Sequence, residues 1–167
     1  LKIDIIDAEA SHFPQIWEIF HAVVSTGDTY VYEPTITKTK ALQLWCEQPQ
    51  KTFVALCKDT ANDTCNVVGT YILKPNFPGL GAHIANASYM VHPDARGLGV
   101  GRKMGEHSLS IAKSLGYRGM QFNIVVSTNP ALRLWESLGF KIIGTTPKGF
   151  KHATLGFIDS HILYRSL

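Results

Sequence analysis

The chain has 167 residues, of which 45% are hydrophobic and 17% charged, the composition of one soluble globular domain with its own core rather than of a disordered segment. Its 16 Lys and Arg against 13 Asp and Glu leave a net charge of +3 with no block of like charge, so nucleic acid is not implied and only a local basic patch remains open. No apolar run approaches the ~20 residues that span a bilayer, and the opening LKIDIIDAEA carries acids where a secretion leader carries bases; the expectation is a cytoplasmic protein with no membrane partner.

Residues 2–6, KIDII, alternate as a strand, and Ser11 with Pro14 opens a helix through about Val24, with Ile16, Phe20 and Val23 on one face. STGDTYVYEPTIT (25–37) is a polar and aromatic loop, and a second helix runs from about Lys38 to Glu47. KTFVALCK (51–58) and NVVGTYILK (66–74) are β-branched runs separated by the turn-rich DTANDTCN, a hairpin pattern. PNFPGLGAH (75–83) is a loop, and HIANASYMV resumes as a strand.

From Gly99 the period turns helical, with Met104, Ser108, Ile111 and Leu115 on one face and Gly116 as the stop. GMQFNIVV (119–126) reads as a buried strand, and ALRLWESL (131–138) as a helix closed by Gly139. FKIIGTT and a long strand around FIDSHILYRS finish the chain. The order is β, two helices, three strands, helix, strand, helix, two strands, in a single domain over residues 1–167 without internal repeat or linker.

Cys46, Cys57 and Cys65 fit neither a CxxC pattern nor a disulfide framework, and the seven histidines show no ligand spacing. Free thiols and no metal are expected.

Residues 91–107, VHPDARGLGVGRKMGEH, carry the most information. Glycines between a strand end and a helix start let backbone N–H groups approach a ligand where the helix dipole is positive, an arrangement suited to phosphate. The alternative is an ordinary loop with a helix cap. A GxGxxG dinucleotide motif and a GxxxxGK phosphate loop both need glycine at 102, which is Arg102.

What fits is Arg96-Gly97-Leu98-Gly99-Val100-Gly101, an R-x-x-G-x-G pattern, followed downstream by TNPALRLWESLGF. Together these resemble the pyrophosphate loop and the N-x-x-A-x-x-L-Y-x-x-x-G-F region of the GCN5-related N-acetyltransferase (GNAT) superfamily, and the order of elements is also that of the family. The resemblance implies an α/β (α+β) fold with a mixed central sheet of about six to seven strands and four helices, in which strands four and five splay to admit acetyl-CoA. Implied cofactor contacts are Met90, Val91, Arg96, Gly97, Leu98, Gly99, Val100, Gly101, Arg102, Lys103, Asn129 and Trp135. Two departures matter. The family tyrosine that often protonates the leaving thiolate is replaced by Trp135, and Asn129 stands one residue closer to it than the family spacing.

PNFPGLGAHIANASYMV, MQFNIVVSTN and LWESLGF further resemble the subgroup of this superfamily that contains the yeast N-acetyltransferase of azetidine-2-carboxylate. The separations of Asn86, Asn123 and Asn129 match that subgroup's asparagines, implying a small amino-acid-like or cyclic secondary amine as acceptor, with Asn86 and Asn123 catalytic. On chemistry alone, an Asn in an apolar strand either braces a neighbour or meets a ligand. Backbone N–H groups near Met90 and Val91 are the expected oxyanion donors.

Tyr30, Tyr32, Glu33, His83 and Phe150, with Asn86 and Asn123, are the expected acceptor-site residues; each also has a bland reading, as packed loop or solvated side chain. The leading expectation is an acetyl-CoA-dependent N-acetyltransferase of a small-molecule amine. A non-catalytic acyl-CoA sensor and a protein or peptide N-terminal acetyltransferase are the rivals, and a homodimer is left open.

Overall fold

The β-branched runs assemble into one sheet of seven strands in the order β1-β2-β3-β4-β5-β7-β6. The structure, a computed structural model, describes residues 2–59 and 64–167. The strands are β1 (Ile3–Asp7), β2 (Lys51–Asp59), β3 (Thr64–Pro75), β4 (Ile84–Val91), β5 (Gly119–Val126), β6 (Lys141–His152) and β7 (Gly156–Ser166). Neighbours pair antiparallel except β4 and β5, which run parallel. The expected hairpin is present as the β2–β3 ladder; its turn residues 60–63 lie outside the described residues.

Four helices flank the sheet among the described residues: α1 (Phe13–Val24), α2 (Lys38–Leu42), α3 (Val100–Ser114) and α4 (Leu132–Ser137). The mixed sheet and four helices expected from the sequence are thus observed. Pro14 lies in the first turn of α1, where its missing N–H costs no helical bond, and Ile16, Ile19, Phe20, Val23 and Val24 form its buried face. The Thr37 side chain caps α2 by accepting from the Lys40 N–H. The segment expected to continue that helix to Glu47 does so with wider, π-type winding over Gln43–Glu47. Trp45 sits there, its indole donating to Thr70 Oγ1 at 3.0 Å and its carbonyl accepting from Thr52 Oγ1 at 2.7 Å.

Two cores result, one on each face of the sheet. On one side α1, α2 and the π-turn cover Val54, Val67, Ile72 and Met90. On the other, α3 and α4 cover Tyr71, Leu73, Ala85, Ala87, Met120 and Phe122. β4 therefore has both faces covered, and its alternation sends Asn86, Ser88 and Met90 to the α1 side and Ala85, Ala87, Tyr89 and Val91 to the α3 side. Gly116 and Gly139, expected as helix stops, hold φ of 86° and 89°, the left-handed conformation that ends a helix.

Candidate active site

The site begins where the sheet comes apart. β4 and β5 pair only at Ile84↔Gly119 and Ala85↔Met120. At the next position the Asn86 side-chain amide donates to the Gln121 carbonyl at 2.9 Å, so a side chain spans the gap as the backbones diverge. Asn86 is thus a brace at the apex of the wedge, the alternative that its residue type left open. Beyond it the strands enclose a cleft of about 290 Å³ lined by residues of both, including Ser88, Tyr89, Val91, Phe122 and Val125.

Divergence leaves the cleft-side backbone of β4 without a ladder partner, and one hydroxyl takes part of its place. Tyr30 Oη accepts from the Tyr89 N–H at 3.1 Å and donates to the Tyr89 carbonyl. Burial and the neighbouring Tyr32 raise the Tyr30 phenol above its ordinary pKa, so it remains a protonated donor rather than a base at neutral pH. Because backbone groups alternate in an antiparallel strand, Tyr89 and Val91 face the cleft while Met90 and His92 face β3. The His92 N–H indeed donates to the Val68 carbonyl at 2.9 Å. Of the two expected oxyanion donors, Met90 is therefore misplaced and Val91 is the one whose N–H turns into the cleft.

The glycine stretch lies at the mouth of this cleft. Gly97 and Gly99 hold φ of 77° and 78°, and a Cβ at either would meet no atom within 4 Å. Glycine is required there by backbone conformation rather than by crowding. Gly99 is the residue from which α3 starts, presenting the helix's unpaired N–H groups outward. Gly101 differs: a Cβ there would stand 3.4 Å from Leu134 and 3.9 Å from Val91, at the seam of α3, α4 and β4. Arg96 lines the cleft. Arg102 is already engaged, donating to Ser137 Oγ at 2.8 Å and approaching Glu106 at 3.6 Å. Leu98 is exposed, Val100 is packed in the core, and the Lys103 N–H begins the helical ladder on the Gly99 carbonyl.

α4 forms the opposite wall. The Asn129 side chain accepts from the Ala131 N–H at 2.9 Å and fixes the turn into α4, and both residues line the cleft with Trp135. The Trp135 ring lies 4.6 Å from Tyr89 and 5.0 Å from Phe122, centroid to centroid, so the indole bridges the two diverging strands. Tyr89 is turned away from proton chemistry, its Oη paired with Ser108 Oγ at 2.7 Å and its pKa raised by burial.

Tyr30 also lines two neighbouring depressions. One lies beside Asn86, Ser88, Asn123 and Ile124. The other lies between the 27–34 loop and the β6–β7 hairpin, where Tyr32 and Glu33 face Phe150, Lys151 and His152. A register break in β6 between Thr146 and Phe150 bends the hairpin, and the Ala153 N–H donates to the Gly27 carbonyl at 3.0 Å, closing this depression.

Two expectations need correction. Asn123 is exposed rather than buried, held by Asn76 Oδ1 at 2.8 Å and Gln121 Nε2 at 3.1 Å, because β5 has lost its β4 neighbour at that point. His83 is exposed at the start of β4 and lines none of the three cavities. Conversely, Asp28 was not singled out from its loop, yet it lines the main cleft, its carboxylate accepting from Thr26 Oγ1 at 2.6 Å. Its only signal in the sequence was a carboxylate beside the aromatic YVY run.

Among the described residues, no group of three or more His, Cys, Asp or Glu is arranged to hold a metal ion, and no helix is long and apolar enough to cross a membrane.

Residues 15–140 match the sequence profile of the Acetyltransferase (GNAT) family. The N-acetyltransferase aca1 of Schizosaccharomyces pombe is 34% identical over 99 residues, 58% of this chain and 47% of that protein. The chain thus matches about half the length of this relative. A GCN5-related N-acetyltransferase from Kribbella flavida superposes with a TM-score of 0.89 at 43% identity, covering 99% of this chain and 98% of that one. A phosphinothricin acetyltransferase from Sinorhizobium meliloti, solved with AcCoA, superposes with a TM-score of 0.84 over 100% of this chain and 89% of that one. At 21% identity it shows the shared fold alone.

Proposed function

The chain belongs to the acetyltransferase (GNAT) family, and from that premise we propose that it transfers acetyl from acetyl-CoA to the amine of a small molecule. The observation that carries the reading is the cleft between β4 and β5, with a left-handed glycine turn at its mouth, a strand paired to the Tyr30 hydroxyl along its wall and the Asn86 brace at its apex. Gly97, Gly99 and the first N–H groups of α3 receive the pyrophosphate, with Arg96 and Lys103 supplying charge. The pantetheine arm then runs between Val91 and Asn129 toward the apex.

The acceptor enters from the side of Tyr30, Tyr32, Glu33 and Phe150, beside Asn86 and Asn123. A neutral amine attacks the thioester carbonyl, the oxyanion is held by the Val91 N–H, the C–S bond breaks, and the thiolate leaves. An ordinary thiol has pKa ~8.5, so the thiolate departs without full protonation near neutral pH. The amine's proton passes to water, for which Asp28 and Ser88 are nearby polar partners. Holding amine and thioester in one cleft supplies much of the acceleration.

The resemblance of Asn86, Asn123 and Asn129 to the azetidine-2-carboxylate subgroup supports a cyclic secondary amine or another amino-acid-like acceptor. The opposite charges of Glu33 and Lys151 around one depression suit such a zwitterion. The tie between the 27–34 loop and the β6–β7 hairpin favours a small acceptor over an open peptide groove. Trp135 in place of the family tyrosine favours one rival, a non-catalytic acyl-CoA sensor.

The deciding experiment is release of CoA thiol from acetyl-CoA against azetidine-2-carboxylate, proline analogues, primary amino acids and short peptides. Turnover with the cyclic imino acids supports the subgroup reading; turnover only with peptides overturns the small-amine reading. Binding of acetyl-CoA without turnover on any amine favours the sensor.

A further inference from the structure

The two faces of the sheet are covered unequally. On the α3 side, Met120, Phe122 and Val125 of β5 and Leu163 of β7 join the core. On the α1 side, the core holds residues of β2, β3 and β4 and, among the described residues, none of β5, β6 or β7. The α1-side face of these three strands therefore has no helix over it. Leu163 points to the α3-side core, so its neighbours Ile162 and Tyr164 point the other way. Residues opposite one another in a ladder share a face, which adds Gln121 and Lys141 beside Tyr164, and Gly144 beside Ile162, with Thr146 further along β6. A Cβ on Gly119 would stand 2.5 Å from Tyr164 Oη, so the phenol lies across β5 and flattens this face. Lys141, at the end of β6, is the one charged side chain of the set, whereas a surface built for water carries about 25–35% charged residues. At the rim, the loop after Asn76 is tied to Asn123 of β5 at 2.8 Å and holds out Phe77, 58% exposed, and Leu80, wholly exposed.

We propose that this face is the interface of a homodimer, packed against the same face of a second copy across a two-fold axis. The charge pattern selects that occupant. A two-fold contact is self-complementary, and a face whose middle is uncharged meets itself without opposing like charges. Nucleic acid or an anionic membrane would instead require a basic face. The outer edge of β6 offers no continuous pairing as an alternative. Pro147 has no N–H, and the ladder breaks between Ile142 and Gly144 and again between Thr146 and Phe150. The location bears on the acceptor. Asn86 and Ser88 face the same side of the sheet, and the depression they line extends to Asn123 on β5, the first of the three uncovered strands. A second copy seated on those strands walls that depression from the β5 side. Only this last consequence rests on the acetyl-transfer reading above; the interface does not.

The test is sedimentation equilibrium of the full chain across the micromolar range, where the wild type should show twice the 18.5 kDa mass of one chain. Ile162→Glu and, at an exposed position, Thr146→Glu each bring like charges together across the axis and should weaken the dimer about a hundredfold. Leu115→Glu changes an exposed apolar residue at the end of α3, on the other side of the sheet, and should leave the dimer intact. Circular dichroism establishes that each variant is folded. A monomeric wild type overturns the proposal, as does a dimer that both folded face variants leave at wild-type strength. In the monomeric variants the Michaelis constant for the acceptor should rise about tenfold with calorimetric acetyl-CoA affinity nearly unchanged. Unchanged acceptor kinetics in a monomeric variant would remove the second copy from the acceptor site. Failure of the wild type to bind acetyl-CoA overturns the acetyl-transfer reading instead, and the sedimentation result still decides the interface.

Discussion

The phenol of Tyr30, on the loop between α1 and α2, holds both backbone groups of Tyr89 on β4, accepting from its N–H at 3.1 Å and donating to its carbonyl. The two residues are 59 apart in sequence, and their bonds pair backbone groups of β4 beyond the point where it loses its β5 neighbour. Tyr30→Phe keeps the ring contacts with Tyr32 and Trp45 but leaves the Tyr89 N–H and carbonyl unpaired. A lost pairing of this kind costs about 1–3 kcal/mol, read as a lower midpoint in urea unfolding. Because the same loop bears Asp28, Tyr32 and Glu33, the Michaelis constant for the acceptor should rise more than that for acetyl-CoA. An unchanged acceptor constant would detach this loop from the acceptor site.

Asn86 and Asn123 were paired by the sequence as one kind of residue, and the structure separates them. Asn86 bridges to the Gln121 carbonyl in a half-buried position, whereas Asn123 links exposed side chains. Asn86→Ala should therefore destabilise the fold by about 1–2 kcal/mol, as the loss of a half-buried hydrogen bond does. Asn123→Ala should leave the unfolding midpoint nearly unchanged and alter acceptor kinetics by freeing Asn76 and the loop that follows it. Equal destabilisation by both would mean that Asn86 does not hold the wedge.

How far these features could be read in advance depends on whether their cause is local. The buried faces of α1 and α3 follow from a period of 3.6, and Gly116 and Gly139 from the need for left-handed φ at helix ends, so both were legible. The splay was not. GMQFNIVV has the apolar run of a buried strand, but after Met120 it has no neighbour on the β4 side, which exposes Asn123 and Ile124. The π-type winding at Trp45 is likewise invisible locally, since its partners Thr52 and Thr70 belong to other elements. Trp135 was found by motif spacing, but the packing of its ring against α3 depends on Gly105, thirty positions earlier in the chain by residue number.

A pH dependence resides away from the cleft. Tyr71 is fully buried and its Oη lies 2.7 Å from His107 Nδ1. Burial raises the Tyr71 phenol, so Tyr71 donates and neutral His107 accepts. Burial lowers the His107 pKa, with Asp7 opposing in part. The folded state thus prefers the neutral imidazole, whose contribution is complete above the unfolded value of ~6.5 and is lost as pH falls through the lower folded value. Between pH 7.5 and 5 the melting temperature of the wild type should fall more steeply than that of His107→Gln, which can accept from Tyr71 without titrating. Parallel curves would remove His107 as the source.

The glycines make the last and sharpest comparison, because neighbouring positions in one motif are glycine for different reasons. Gly99 holds φ of 78° with open space around it, so Gly99→Ala collides with nothing but places an L-residue in the left-handed region, at a cost of about 1–2 kcal/mol. That cost falls on the turn presenting the α3 N–H groups, and acetyl-CoA affinity should drop by about tenfold with a small fall in melting temperature. Gly101 is helical, and its Cβ would make ordinary contact with Leu134 and Val91. Gly101→Ala should accordingly be close to neutral for folding, while Gly101→Glu sets a carboxylate where the pyrophosphate is proposed to bind and should abolish calorimetric acetyl-CoA binding in a folded protein. If Gly101→Glu binds acetyl-CoA with wild-type affinity, the phosphates lie elsewhere and the assignment of the loop fails. If Gly99→Ala alone is impaired, the turn matters for folding of the loop and not for the charge of its ligand.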